Sequence, residues 1–290
     1  MRALVISSML LALAAPSMAK PRAAKPRVAR THAIHPREPA VDAPEILLTF
    51  DDGPAFEKTE KVLDTLDAHG IKAVFFVNGW HFQGHKPTDE RERELLREEL
   101  RRGHAVGNHT VHHYFLCGKV YVLRAAQEIE ENADLIEQAT GIRPDLYRTP
   151  YGAHCKQLDA TLASLGVKHT GWDIDPQDWK VRNAAKIEAY VERQLTLLHG
   201  RAIILFHDVQ GETVKALPHI LDWIDQENAA RLKSKERPPI KILDYSYLIP
   251  EHKLVPPALD AIGRILIGCA RRLDGTLRFW PRLAWLSGQV

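Results

Sequence analysis

The sequence carries almost no net charge. Its 39 Lys and Arg face 37 Asp and Glu, leaving +2 over 290 residues. The basic residues are interleaved with acids over most of the chain, so nothing in the charge pattern points to nucleic acid as a partner. Cysteine is scarce: Cys117, Cys155 and Cys269 allow one bridge at most. None of them lies near the amino terminus, which argues against a lipid anchor there. Long apolar runs are missing too. The run at 3–15 is too short and too rich in alanine for a membrane span. Between 250 and 290, Asp260 and Arg264 interrupt any such span. There is no internal repeat at a fixed period. What remains is an ordinary soluble composition, 45% hydrophobic and 26% charged, long enough for one sizeable core or two small ones.

The amino terminus reads as a targeting signal. Arg2 supplies a positive charge, residues 3–15 an apolar segment, and Ser17-Met18-Ala19 a small-residue cleavage site with the cut after Ala19. An uncut signal anchor is the alternative. The mature protein is therefore expected outside the cytoplasm: periplasmic, in the cell envelope or secreted. Residues 20–43 are rich in Pro, Ala, Lys and Arg and cannot build a core. They read as a basic linker, with association to an anionic wall or membrane surface as its sharper role. In an exported protein a pair of cysteines can be bridged. Cys117 and Cys155 each follow shortly after a polar motif, so their loops could meet and leave Cys269 over, but sequence alone does not give the distance.

Residues 44–250 alternate short apolar strands with amphipathic helices. Strands are expected at 46–48, 72–77, 105–106, 146–147, 169–172, 202–206 and 240–243. Helices are expected at 57–69, 89–102, 121–140, 158–165, 184–198 and 213–227. About seven such units predict an α/β fold with a parallel sheet, open or closed into a barrel. Residues 251–290 fall outside the alternation and read as a helical extension. Leu259, Ile262, Leu266, Cys269 and Leu273 form one face of it, and packing on the domain is preferred over lying at a membrane interface.

Five polar stretches follow predicted strands, where α/β folds put their chemistry. In Thr49-Phe50-Asp51-Asp52-Gly53-Pro54 two adjacent carboxylates end a buried strand. One could hold a metal while the other acts as a base. In His109-Thr110-Val111-His112-His113 the imidazoles of His109 and His113 would share a face on a helical turn, and two histidines with one carboxylate suit a catalytic divalent metal. His112 would point elsewhere. In Arg148-Thr149-Pro150-Tyr151 the guanidinium could orient a carboxylate and the Tyr151 N–H could stabilise an oxyanion. In Asp175-Pro176-Gln177-Asp178-Trp179, Asp178 could tune a histidine and Trp179 offers a flat wall to a sugar ring. In Leu205-Phe206-His207-Asp208, His207 is placed to act as a general acid. Each stretch alone also reads as a structural turn or a packed core residue.

Taken together and in this order, the five stretches resemble the polysaccharide deacetylase family of carbohydrate esterases, with its NodB-homology domain. They match its Thr-Phe-Asp-Asp-Gly, His-Ser/Thr-x-x-His, Arg-x-Pro-Tyr, Asp-x-x-Asp-Trp and Leu-x-His motifs over residues 44–250. The resemblance implies a distorted (β/α) barrel with fewer than eight complete units. It implies Asp51 as catalytic base and Asp52, His109 and His113 as metal ligands. Arg148 would hold Asp51, Tyr151 would serve the oxyanion hole and Asp178 would tune His207 as acid. Trp179 and Leu205 would line an acetyl pocket. The implied cofactor is a divalent metal, Zn2+ first and Co2+ or a similar ion second. The implied reaction removes N-acetyl groups from a polysaccharide, chitooligosaccharide or peptidoglycan. The expected partner is thus a glycan containing N-acetylglucosamine. An esterase or small-amide hydrolase on the same site, a non-catalytic glycan-binding module and a structural zinc protein are the alternatives. The segment 80–89 and the tail match none of the five motifs.

Overall fold

The computed structural model describes residues 43–248. The signal segment at 1–19, the basic linker apart from its last residue, the 251–290 extension and Cys269 lie outside the described residues. The sheet grows around β1 (Glu45–Asp51), whose seven residues are all buried. Its apolar stretch at 46–48, buried on both faces, is what the middle of a parallel sheet demands. Strands β2 (Val74–Val77), β3 (Ala105–Asn108), β4 (Leu146–Tyr147), β5 (Lys168–His169), β6 (Arg201–His207) and β7 (Lys241–Ile242) complete it. The order is β5-β4-β3-β2-β1-β6, with every pairing parallel. Strand β6 follows β1 along its whole length. The other edge of β1 is shared: β2 takes Thr49 to Asp51 and β7 takes Glu45 and Ile46.

The sheet curls into a barrel that is closed by an irregular segment rather than a full strand. Thr170 N–H still donates to the Tyr147 carbonyl on β4, while Asp173 and Ile174 N–H already donate to the Ile203 carbonyl on β6. The strand expected at 169–172 is for this reason only partly paired: past His169 the chain crosses from β4 to β6. Helices α1 (Lys58–Ala68), α2 (Asp89–Arg101), α3 (Ala125–Thr140), α4 (Lys156–Leu165), α5 (Ala184–Leu197) and α6 (Gly211–Ser234) connect the strands. α3 ends where Gly141 takes a left-handed conformation, φ 78°, the usual stop for a helix. None of the helices among the described residues is long and apolar enough to cross a membrane.

Side chains alternate along each strand with period two. Ile46, Leu48 and Phe50 of β1, with Ile204 and Phe206 of β6, face outward and pack with Leu63, Val191 and Ile220 of the helices. Each such fully buried side chain contributes about 1.5–3 kcal/mol. Leu47, Val74, Phe76, Leu146 and Ile203 face inward and fill the barrel. The same alternation sends Thr49 and Asp51 inward on β1, and Leu205 and His207 inward on β6.

Candidate active site

Strand register brings the first two reactive groups together. Asp51 and His207 are paired neighbours at the carboxyl ends of β1 and β6. Asp51 is 2% exposed and meets the guanidinium of Arg148, which plugs the barrel and is fully buried. Arg148 NH1 donates to Asp51 Oδ1 at 2.7 Å and to Thr49 Oγ1 at 2.8 Å. Its Nε and NH2 donate to the carbonyls of Thr170 and Gly171 on the closing segment. The guanidinium also lies 4.2 Å from the centre of the Phe76 ring. One side chain thus holds Asp51 and seals the irregular seam. Burial raises the Asp51 pKa, and the Arg148 and His207 charges oppose that shift without cancelling it.

Asp52 turns away from its neighbour because its backbone is left-handed, φ 74°. Its N–H donates to the Phe76 carbonyl, and its own carbonyl accepts from His81 Nε2 at 2.8 Å. The carboxylate meets two imidazoles: Oδ1 is 3.2 Å from His113 Nε2 and 3.5 Å from His109 Nε2. His109 Nδ1–H donates to the Arg148 carbonyl at 2.8 Å, which leaves the Nε2 lone pair aimed at the carboxylates. Burial, only partly offset by Asp52, pushes the His109 pKa down to about 3, so the ring is neutral. The histidines do not converge by helical spacing as expected. Residues 109–113 form a bend, with left-handed Thr110 (φ 71°) and His113 (φ 56°). Asn108 Oδ1 accepts from Thr110 N–H at 2.8 Å and secures that bend. His112 leaves the site, as expected, and meets Glu128 Oε1 at 2.9 Å.

The donor set fits a divalent cation. One ligand atom each from Asp52, His109 and His113 lies within 4.8 Å of the others. Asp52 Oδ1 is buried with no hydrogen-bond partner, a costly state unless a cation or ordered water satisfies it. Non-glycine residues with positive φ are uncommon, and four of them (Asp52, Thr110, His113 and Tyr151) sit around this one pocket. Such strain, of order 1–3 kcal/mol each, tends to collect at functional sites.

On the other side His207 is fixed by Asp178, which is 2% exposed. Asp178 Oδ1 accepts from the His207 ring at 2.7 Å and Oδ2 accepts from its N–H at 2.7 Å. Thr213 donates to the same Oδ2. Burial alone would lower the His207 pKa. The Asp178 hydrogen bond and charge, helped by Asp52 and Asp51, outweigh it and raise the value to about 9. Leu205 lies one inward position below His207 and pairs with Thr49. Tyr151, φ 59°, packs its ring 4.6 Å from the His113 ring. Trp179 follows Asp178 and is half exposed. Cys117 and Cys155 are bridged, Cα–Cα 6.0 Å, so the His113 and Tyr151 loops are tied together.

Several residues around the site were not singled out from sequence. His81, 8% exposed and stacked against Trp80, holds the Asp52 carbonyl. Asn78 holds the His109 carbonyl at 2.7 Å, and Thr213 steadies Asp178. None belongs to a motif with a chemical signature.

Comparison with known proteins agrees with this geometry. A family model described as polysaccharide deacetylase matches residues 38–170. The peptidoglycan-N-acetylmuramic acid deacetylase PdaC of Bacillus subtilis (strain 168) is 35% identical over 188 residues, 64% of this chain and 37% of that protein. The chain thus spans little more than a third of that relative. A chitooligosaccharide deacetylase of Sinorhizobium fredii (strain NBRC 101917 / NGR234) is 34% identical over 57% of this chain and 73% of its own length. Among solved structures, a family 4 carbohydrate esterase from Streptomyces lividans in complex with acetate superimposes with TM-score 0.55 at 29% identity, covering 65% of this chain and 91% of that one. With one fold and five motifs at one barrel mouth, and a relative matched over most of its length, this chain belongs to the polysaccharide deacetylase family.

Proposed function

We propose that the protein hydrolyses N-acetyl groups on the sugars of an envelope glycan, with peptidoglycan and chitooligosaccharides as the substrate class. The observation that carries this reading is the register pair Asp51 and His207. It sets a carboxylate and a protonated imidazole beside one donor cluster, at the place where an amide would be cleaved. The relatives named above act on peptidoglycan and on chitooligosaccharides, which supports the substrate class.

Asp52, His109 and His113 would hold the cation, and Zn2+ suits two neutral imidazoles and a carboxylate, with Co2+ or a similar ion as the alternative. When bound, the cation supplies Lewis acidity that polarises a carbonyl and makes water more acidic. Asp51 accepts the proton of the attacking water, and its orientation comes from Arg148. The Tyr151 N–H donates to the oxyanion as the new C–O bond forms. His207 gives its proton to the amide nitrogen as the C–N bond breaks, so acetate and a free amine leave. Asp178 keeps the His207 ring oriented and charged. Trp179 and Leu205 would shape the acetyl pocket. The segment 1–19 is read as an export signal, which would deliver residues 44–250, the catalytic domain, to envelope glycans.

Acetate release from N-acetylglucosamine oligomers and from purified peptidoglycan tests the reading, with and without a chelator. Release that the chelator abolishes and Zn2+ restores is the expected result. Binding to these glycans without acetate release would contradict it.

A further inference from the structure

Asp208 directly follows His207 and takes no part in the reaction proposed above. Its carboxylate is fully buried, which is costly for an acid that serves nothing. Oδ2 accepts from the Thr59 hydroxyl in the first turn of α1. That hydroxyl accepts in turn from the Ala55 N–H at 2.8 Å. Oδ1 has no hydrogen-bond partner among the described residues. Both oxygens lie against Gly53: a Cβ there would come within 2.6 Å of Oδ1 and closer still to Oδ2. Lys58 Nζ donates to the Val209 carbonyl at 2.8 Å and ties the same two segments a second time.

These contacts converge on the peptide that follows Asp52. Asp208 bears on Gly53 from the β6 side. His81 and Asn78 hold the other side, through the carbonyls of Asp52 and Gly53. Asp52 itself keeps a left-handed backbone, φ 74°, a conformation that surrounding structure has to impose. Asp51 needs no such clamp, because Arg148 already grips its carboxylate. Slack in the turn would therefore fall on Asp52.

We propose that Asp208, acting through Thr59 and the Gly53 peptide, is a positioning residue that sets Asp52 for cation binding. The proposal rests on the reading of Asp52, His109 and His113 as a metal site. It also explains the glycine after the two acids: a side chain at position 53 would displace the Asp208 carboxylate.

The test is Zn2+ affinity, read by competition with a chromophoric chelator and with no substrate present. Asp208→Ala and Thr59→Val should each bind Zn2+ about 10–100-fold more weakly than the wild type, the usual cost of losing a group behind a ligand. Asp208→Asn, which keeps the volume and an acceptor for Thr59, should recover most of the affinity. Wild-type affinity in Thr59→Val and Asp208→Ala, whatever their melting temperatures, overturns the proposal. An Asp208→Asn variant as weak as Asp208→Ala does so too. If Asp208→Ala does not fold, Thr59→Val, a near-isosteric change, decides alone. A wild-type protein that binds Zn2+ but releases no acetate refutes the deacetylase reading and leaves this test in force. Acetate release with affinity unmoved by Thr59→Val refutes only the positioning role.

Discussion

Arg148→Lys keeps the positive charge inside the barrel but removes the planar fork. The guanidinium serves four acceptors in different directions: Asp51 Oδ1, Thr49 Oγ1 and the carbonyls of Thr170 and Gly171. An ammonium group donates from one point on a flexible stem. It can keep Asp51 and one neighbour, and the two carbonyls of the closing segment are then orphaned in a dry interior. Each orphan costs about 1–3 kcal/mol, so the variant should lose about 2–6 kcal/mol. That is a large share of the roughly 5–15 kcal/mol a domain possesses. For a domain of this size each kcal/mol lowers Tm by about 2–4 °C, so a fall of about 4 °C is the least expected. The His109 contact is to the Arg148 backbone carbonyl, not to its side chain, so Zn2+ affinity should survive. Turnover should drop by about 10²-fold, because Asp51 loses its fixed orientation. The assays are thermal unfolding by circular dichroism, Zn2+ titration and acetate release on the same preparation. A variant with wild-type Tm and wild-type turnover would refute the account of Arg148 as both seal and holder. Loss of Zn2+ affinity in a folded variant would refute the separation of its side-chain and backbone roles.

Other outcomes follow from single contacts. His207→Ala should keep its metal and lose about 10²–10⁴-fold in turnover, as general acids do; equal turnover would remove His207 from the mechanism. His104, 2% exposed, accepts from the Ala73 N–H at 3.1 Å and has its pKa lowered to about 4, by burial first and then by the Lys72 charge. Its folded pKa lies below the unfolded value, so the unfolded chain binds the extra proton as pH falls from about 6.5 towards 4, and stability is lost over that window. The loss should reach about 2–3 kcal/mol near pH 4.5, and in urea unfolding the wild type should lose that much more stability than His104→Gln between about pH 7.5 and 4.5. Reduction of Cys117–Cys155, which closes a loop with a sequence separation of 38, should cost about 3–4 kcal/mol in the chain-entropy account. Unfolding with and without reductant measures it.

The sheet was legible because its strands are short apolar runs bounded by glycine and polar turns, and the helices between them are amphipathic. The closing segment was not. Residues 170–174 join the barrel's edges through a few backbone bonds and the Arg148 guanidinium, and no local pattern encodes a long-range seam. His109 and His113 lie together, but not by the expected route. A four-residue spacing suggested a helical turn, whereas left-handed Thr110 and the Asn108 side chain make a bend that reaches the same end. No role for His81 or Asp208 is legible in the sequence, because each depends on what the fold places beside it. Asp51 and Asp52 were recognisable as two acids with separate directions, since a strand end turned by Gly53 and Pro54 separates neighbouring side chains.

Asp51 as base and Asp52 as cation ligand are separated in one experiment by Asp51→Asn. The measurement is bound Zn2+ per protein alongside acetate release for this one variant. Wild-type Zn2+ content with acetate release abolished or nearly so is the expected result, because Asp52, His109 and His113 remain while the proton acceptor is gone. Full acetate release, or loss of the Zn2+ from a folded protein, would contradict it.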